Sequence, residues 1–173
     1  MTGSLGSVLA STGVLSLALI LAAYLTWQRP LLISNGKGCQ RTRRVFLFAV
    51  AVQCVHFLEE LVTGFDVEFP KLLGLPPWPA DFFVVFNVLW IAIWILSSVG
   101  LEQGRQLALL PIWFFALGMA INGLAHPALA VRAGGYFPGL GSSPVVGTVG
   151  VVLLIRLVDI TEKKRGRRAH EES

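Results

Sequence analysis

The sequence predicts an all-α, polytopic membrane helical bundle of five transmembrane helices, with the N-terminus outside and the C-terminus cytoplasmic. Three observations predict it. Only 14% of residues are charged while 54% are hydrophobic, where a soluble domain carries about 25% charge. The mean hydropathy is +0.70. Apolar runs recur five times at the length that crosses roughly 30 Å of hydrocarbon, about 20 helical residues each. This balance excludes a disordered chain, a coiled coil and an ordinary soluble domain. At 173 residues the chain forms a single transmembrane domain. Two cysteines exclude a disulfide scaffold. Cys39 falls in a basic loop and Cys54 in an apolar run, so the two are not expected to meet.

The first span covers residues 8–28. Its leader, residues 1–7, has no Lys or Arg, and the run exceeds the about 7 to 15 residues of a signal peptide's apolar region; it reads as a retained span. Spans two to five cover residues 45–65, 82–100, 107–129 and 145–161. The runs are continuous rather than alternating, which favours helices over barrel strands. Lys and Arg in the loops set the orientation. Arg29, Lys37, Arg41, Arg43 and Arg44 lie between spans one and two, and a basic stop anchor occupies residues 163–168. An odd number of spans places both on one side. The loop after span two is acidic, with Asp66, Glu68 and Asp81 against Lys71. The net charge of +4 then reflects topology and anionic lipid, not nucleic acid. No internal repeat is present, which weakens an inverted-repeat transporter.

Polar groups inside spans are costly, about 2.5 to 3.5 kcal/mol per charge at the bilayer centre. Arg156 and Asp159 near the inner end of span five pair or snorkel. The others need a further reason. Span two carries Gln53, His56, Glu59 and Glu60, with His56 one turn from both glutamates. Span three carries Asn87, in register with Trp90 and Trp94. Span four carries Asn122 and His126, and Gly118 continues their stripe with room for another helix to approach. At about 1.5 Å per residue, the polar groups of all three spans fall in the outer half of the bilayer. The outer loop contains Tyr136-Phe137-Pro138-Gly139, and Pro-Gly suits the centre of a type II turn. Tyr136 either hangs its hydroxyl into the site or anchors at the interface.

His56-Phe57-Leu58-Glu59-Glu60, Asn122-Gly123-Leu124-Ala125-His126 and Tyr136-Phe137-Pro138-Gly139 resemble, in order, the His-x-x-Glu-Glu, Asn-x-x-x-His and Tyr-x-Pro-Gly motifs of the HXXEE family. That is a group of small bacterial integral membrane proteins of uncharacterised function. The resemblance covers roughly residues 45–160, and implies a bacterial inner (plasma) membrane domain without bringing an activity. A His and a Glu one turn apart also resemble the sites of the sterol-isomerase (EXPERA) group, which acts on lipophilic substrates by proton transfer.

Two adjacent carboxylates in a low dielectric call for a cation. If it is a proton, His56, Glu59 or Glu60, and His126 form an acid–base set, with Asn122 and Tyr136 orienting the substrate. Isomerisation, cyclisation or hydrolysis of a small lipophilic molecule would follow. Gln53, Asn87, Trp90 and Trp94 would bind that molecule, although both tryptophans equally suit an aromatic core. If it is a divalent metal, His56, one glutamate (Glu60) and His126 suffice for an open Zn or Fe site, with Asn122 supporting His126. The spacing matches no standard metal motif, so no cofactor is committed and the proton is preferred. A proton or ion pathway is less favoured, because the inner halves of spans two to four are nearly all apolar. A lipid-binding or purely structural network is the bland alternative. The expected partners are membrane lipids and a lipophilic molecule; oligomeric state is not readable.

Overall fold

The computed structural model describes residues 13–32 and 36–161. The start of the first expected span and the basic stop anchor lie outside the described residues. Among the described residues six α-helices follow one another: α1 Gly13–Gln28, α2 Lys37–Thr63, α3 Phe65–Leu72, α4 Ala80–Glu102, α5 Leu109–Ala133 and α6 Ser143–Ile160, with a 3-10 turn Gln106–Ala108 leading into α5. No strand forms among the described residues; a lone bridge joins Leu31 to Thr161. Four helical segments, α2, α4, α5 with its leading turn, and α6, are long and apolar enough to cross a membrane, and α1 is a shorter apolar helix. The outward faces are apolar too. Val62, Leu96 and Leu124 are between 70% and 79% exposed, a surface that water would not tolerate over such an area and that lipid requires.

Helix α2 begins at Lys37, not near residue 45, because its basic first turns are good helix formers that dock on α4. Thr42 Oγ1 bonds Gly38 O at 3.0 Å, Cys39 Sγ reaches Leu101 O at 3.4 Å, and Arg43 pairs with Glu102 at 3.3 Å. Cys39 is therefore buried on a helix rather than placed in a loop; both cysteines are free, as expected. Helix α2 ends at Gly64, whose positive φ of 79° lets its N–H cap Glu60 O. The short α3, in what reads as a plain outer loop, was not expected. It starts directly after that turn, with Asp66 and Glu68 in its first turn complementing the helix dipole.

Helix α5 packs on α1 and most extensively on α6, while α2 packs on α4 and α6. The α5–α6 seam is built of glycine. A Cβ on Gly147 would lie 2.7 Å from Gly123 Cα, and one on Gly150 would lie 2.7 Å from Ala120 N. The close approach expected at Gly118 does not occur: a Cβ there meets nothing within 4 Å. Helix α4 packs more lightly against α5, which leaves space between them. At the opposite end from α3, Arg29 donates to Thr161 O at 3.0 Å and Val158 O at 3.2 Å, capping α6, and Gln106 Nε2 donates to Thr26 O at 2.6 Å. Arg156 and Asp159 do approach each other, at 3.8 Å on the surface of α6.

Candidate functional site

Three buried side chains meet where α2 and α5 face each other. His56 is 0% exposed, His126 2% and Glu60 6%. Glu60 Oε1 lies 3.5 Å from His56 Nε2 and 3.3 Å from His126 Nε2. The imidazoles stand edge to face, with ring centroids 4.8 Å apart.

The outer nitrogens of both rings are engaged. His126 Nδ1 is 2.6 Å from Pro138 O. A carbonyl only accepts, so this nitrogen carries the proton. His56 Nδ1 is 2.7 Å from Ser142 Oγ. The Ser142 hydroxyl donates to Glu59 Oε2, so it must accept from His56. Both rings, when neutral, thus turn an Nε2 lone pair toward Glu60.

Glu59, one residue before Glu60, faces away from the centre. It accepts from Tyr136 Oη at 2.6 Å, from Gly141 N at 2.8 Å and from Ser142 N at 2.8 Å, besides the Ser142 hydroxyl. Its carboxylate sits at the N-terminus of α6, where free N–H groups and the helix dipole favour an anion. The 100° step between consecutive helical residues is what separates the two glutamates. Partial removal of the Tyr136 phenol from water, together with its hydrogen bond to Glu59, raises its pKa; it stays a donor.

The turn that brings these donors in is the expected one. Leu140 N bonds Phe137 O at 3.0 Å, and Gly139 has φ +83°, as a type II turn requires. A Cβ at Gly139 would lie 2.7 Å from His126 Nδ1 and 2.9 Å from His56 Cε1. Only glycine fits against both imidazoles.

Inward from the centre runs a cavity of about 890 Å³ between α1, α3, α4 and α5. Gln53, Asn87, Trp90, Trp94 and Asn122 line it together with Glu60 and His126. Its wall is aromatic: Trp90 meets Phe114 at a tilt with centroids 4.7 Å apart, and Trp94 meets Phe115 likewise at 4.3 Å. The tryptophans therefore serve both readings, with Trp94 buried in the core. Asn87 Nδ2 bonds Phe83 O at 2.9 Å, within its own helix. Phe65 of α3 closes the end of the cavity beside the centre, its ring 5.6 Å from that of His126.

The sequence expectation thus divides into three groups. His56, Glu60 and His126 form the centre, Gln53, Asn87, Trp90, Trp94 and Asn122 line the cavity, and Glu59 and Tyr136 clamp the outer loop. Tyr136 does not line the cavity and is 58% exposed, whereas Asn122 lines it. The support for His126 is the Pro138 carbonyl, not Asn122, because the turn reaches Nδ1 first. Ser142, Pro138 and Phe65 were missed. Ser142 had one legible signal, its place at a Gly-Ser-Ser-Pro helix start.

No protein-family model matches the chain, and neither a curated protein nor a solved structure matches it.

Proposed function

We propose that this chain is an integral-membrane enzyme of the bacterial inner membrane that acts on a small lipophilic molecule at the His56–Glu60–His126 centre. The observation that carries the reading is the continuity of an apolar, aromatic cavity with a buried His/Glu centre at its end. A volume of about 890 Å³ is in the range of small-molecule pockets, which pair apolar walls with a few convergent polar groups. An apolar ligand enters from the bilayer, and its polar atom meets Glu60 and His126, which line the cavity at that end. Membership of the HXXEE family is part of the proposal and rests on the three motifs. So are five spans and an outside N-terminus. The chain near Leu31 and the end of α6 lie together, which supports placing both basic regions on the cytoplasmic side.

The reaction follows from the cation at the centre. With a proton, His56, Glu60 and His126 do acid–base work, and isomerisation or cyclisation is the class. With a metal ion, Lewis-acid chemistry such as hydrolysis is added. The facing lone pairs of the two imidazoles favour this second reading.

The test is cargo. Native mass spectrometry of the full chain released from mild detergent is expected to find a lipophilic adduct. Gly118→Leu, which fills the cavity from a position where a Cβ meets nothing, should abolish it, while Glu68→Gln on the exposed part of α3 should keep it. An adduct equally abundant in both variants, or none in the parent protein, would overturn the reading.

A further inference from the structure

We propose that His56 Nε2, His126 Nε2 and Glu60 Oε1 bind a divalent transition-metal ion of the zinc–iron class, with its remaining coordination positions open to the cavity. These three atoms lie within 4.8 Å of one another. Donors held about 2.0 to 2.1 Å from a tetrahedral zinc lie roughly 3.3 Å apart. The Glu60–His126 and Glu60–His56 separations of 3.3 Å and 3.5 Å match that spacing, and the two histidine nitrogens, within 4.8 Å of each other, draw together by small side-chain rotations as the ion binds.

The chemistry of the donors argues for a metal more strongly than the distances do. All three atoms are acceptors, since each ring has its one N–H committed at Nδ1. His56 Nε2 is fully buried and has no hydrogen-bond partner among the described residues. An unmet buried acceptor costs about 1 to 3 kcal/mol. A proton shared between Glu60 and His126 leaves His56 unmet, and one shared with His56 leaves His126 unmet. A second proton sets two imidazolium rings against each other with centroids 4.8 Å apart. One divalent ion satisfies all three acceptors together. The preference for a proton drawn from sequence spacing is thereby reversed.

The surroundings are those of metal-binding histidines, which donate their second N–H to a carbonyl or a carboxylate. His126 donates to the Pro138 carbonyl, and His56 reaches the Glu59 carboxylate through the Ser142 hydroxyl. The two adjacent glutamates of α2 then have separate tasks: Glu60 is a ligand, and Glu59 fixes the tautomer and tilt of His56. Three protein ligands leave a site open, the arrangement of catalytic rather than structural zinc. The open side faces the cavity, because Glu60 and His126 line it while α6 closes the other side.

The experiment uses the full chain, purified with a tag free of histidine, stripped with chelator and titrated with Zn(II) against a chromophoric competitor. About one ion per chain with a Kd below about 1 µM is expected. Glu60→Gln, which keeps shape and removes the anionic ligand, and His126→Ala should each weaken binding by about 100-fold or more. Ser142→Ala, which leaves every ligand in place, should weaken it by about 10- to 100-fold. Glu68→Gln should change nothing. If His126→Ala fails to fold, Glu60→Gln and Ser142→Ala carry the test. Failure of the parent protein to bind Zn(II), or binding that all these variants retain, overturns the site. The readout needs no cargo, so loss of the lipophilic-ligand reading would leave this result standing, and a cargo without metal binding would do the reverse.

Discussion

At the scale of single residues, the Tyr136–Glu59 bond holds the outer turn over the centre. Burial and the bond to Glu59 raise the phenol's pKa, so the folded state prefers the neutral form. Its contribution is complete below the ordinary phenol value of about 10 and is lost as pH climbs through the raised folded value. Thermal unfolding followed from pH 8 upward, about two units either side of that value, should show the parent protein losing stability at alkaline pH relative to Tyr136→Phe. At neutral pH the variant should be less stable by on the order of 1 kcal/mol; parallel pH profiles would refute the role. How much was legible varies by residue. His56 and His126 were found from their types and depths, because an imidazole inside a span is conspicuous. The choice between Glu59 and Glu60 was not legible: both satisfy the one-turn spacing, and the partners that part them come from a loop 77 to 83 residues away. Pro138 acts through its carbonyl, which every residue has, so nothing in its side chain announces it.

At the scale of elements, the α5–α6 seam decides where the turn sits. Gly123 and Gly147 let the helices touch backbone to backbone, so that Ser142 and Gly139 reach the two imidazoles. Gly123→Ala inserts a methyl group against Gly147 and should destabilise the bundle by about 1 to 3 kcal/mol. Gly118→Ala, five residues earlier on the same helix and facing open space, should stabilise it by up to about 1 kcal/mol through helix propensity. Opposite signs in detergent unfolding are the expected outcome, and equal effects would remove the seam as the organising contact. The apolar core of each span was legible as an unbroken run. The ends of α2 and the whole of α3 were not. Hydropathy stops at the first arginine, whereas the helix continues as long as Thr42, Cys39 and Arg43 find partners. Gly64 read as part of span two but serves as the hinge between two helices.

At the scale of the whole molecule, the membrane class and the convergence of polar groups in one half were legible, since both depend on composition and rise per residue. The cavity was not, because it arises from how lightly α4 leans on α5, which no local pattern encodes. Orientation is testable directly. In a background without Cys39 and Cys54, Lys71→Cys on α3 should react with an impermeant maleimide in intact cells, and Gln103→Cys at the end of α4 should react only after permeabilisation. The opposite pattern would invert the topology. The clamp on Glu59 also has a consequence for how the chain is made. Ribosomes deliver α2 to the bilayer well before the segment that carries Tyr136, Gly141 and Ser142. Until that segment arrives, two carboxyl groups wait in a nascent hairpin without any of the donors that Glu59 finally uses. The first of the four long helices to be synthesised is thus the last to be satisfied, and a product ending before residue 136 carries a span whose Glu59 has none of these partners.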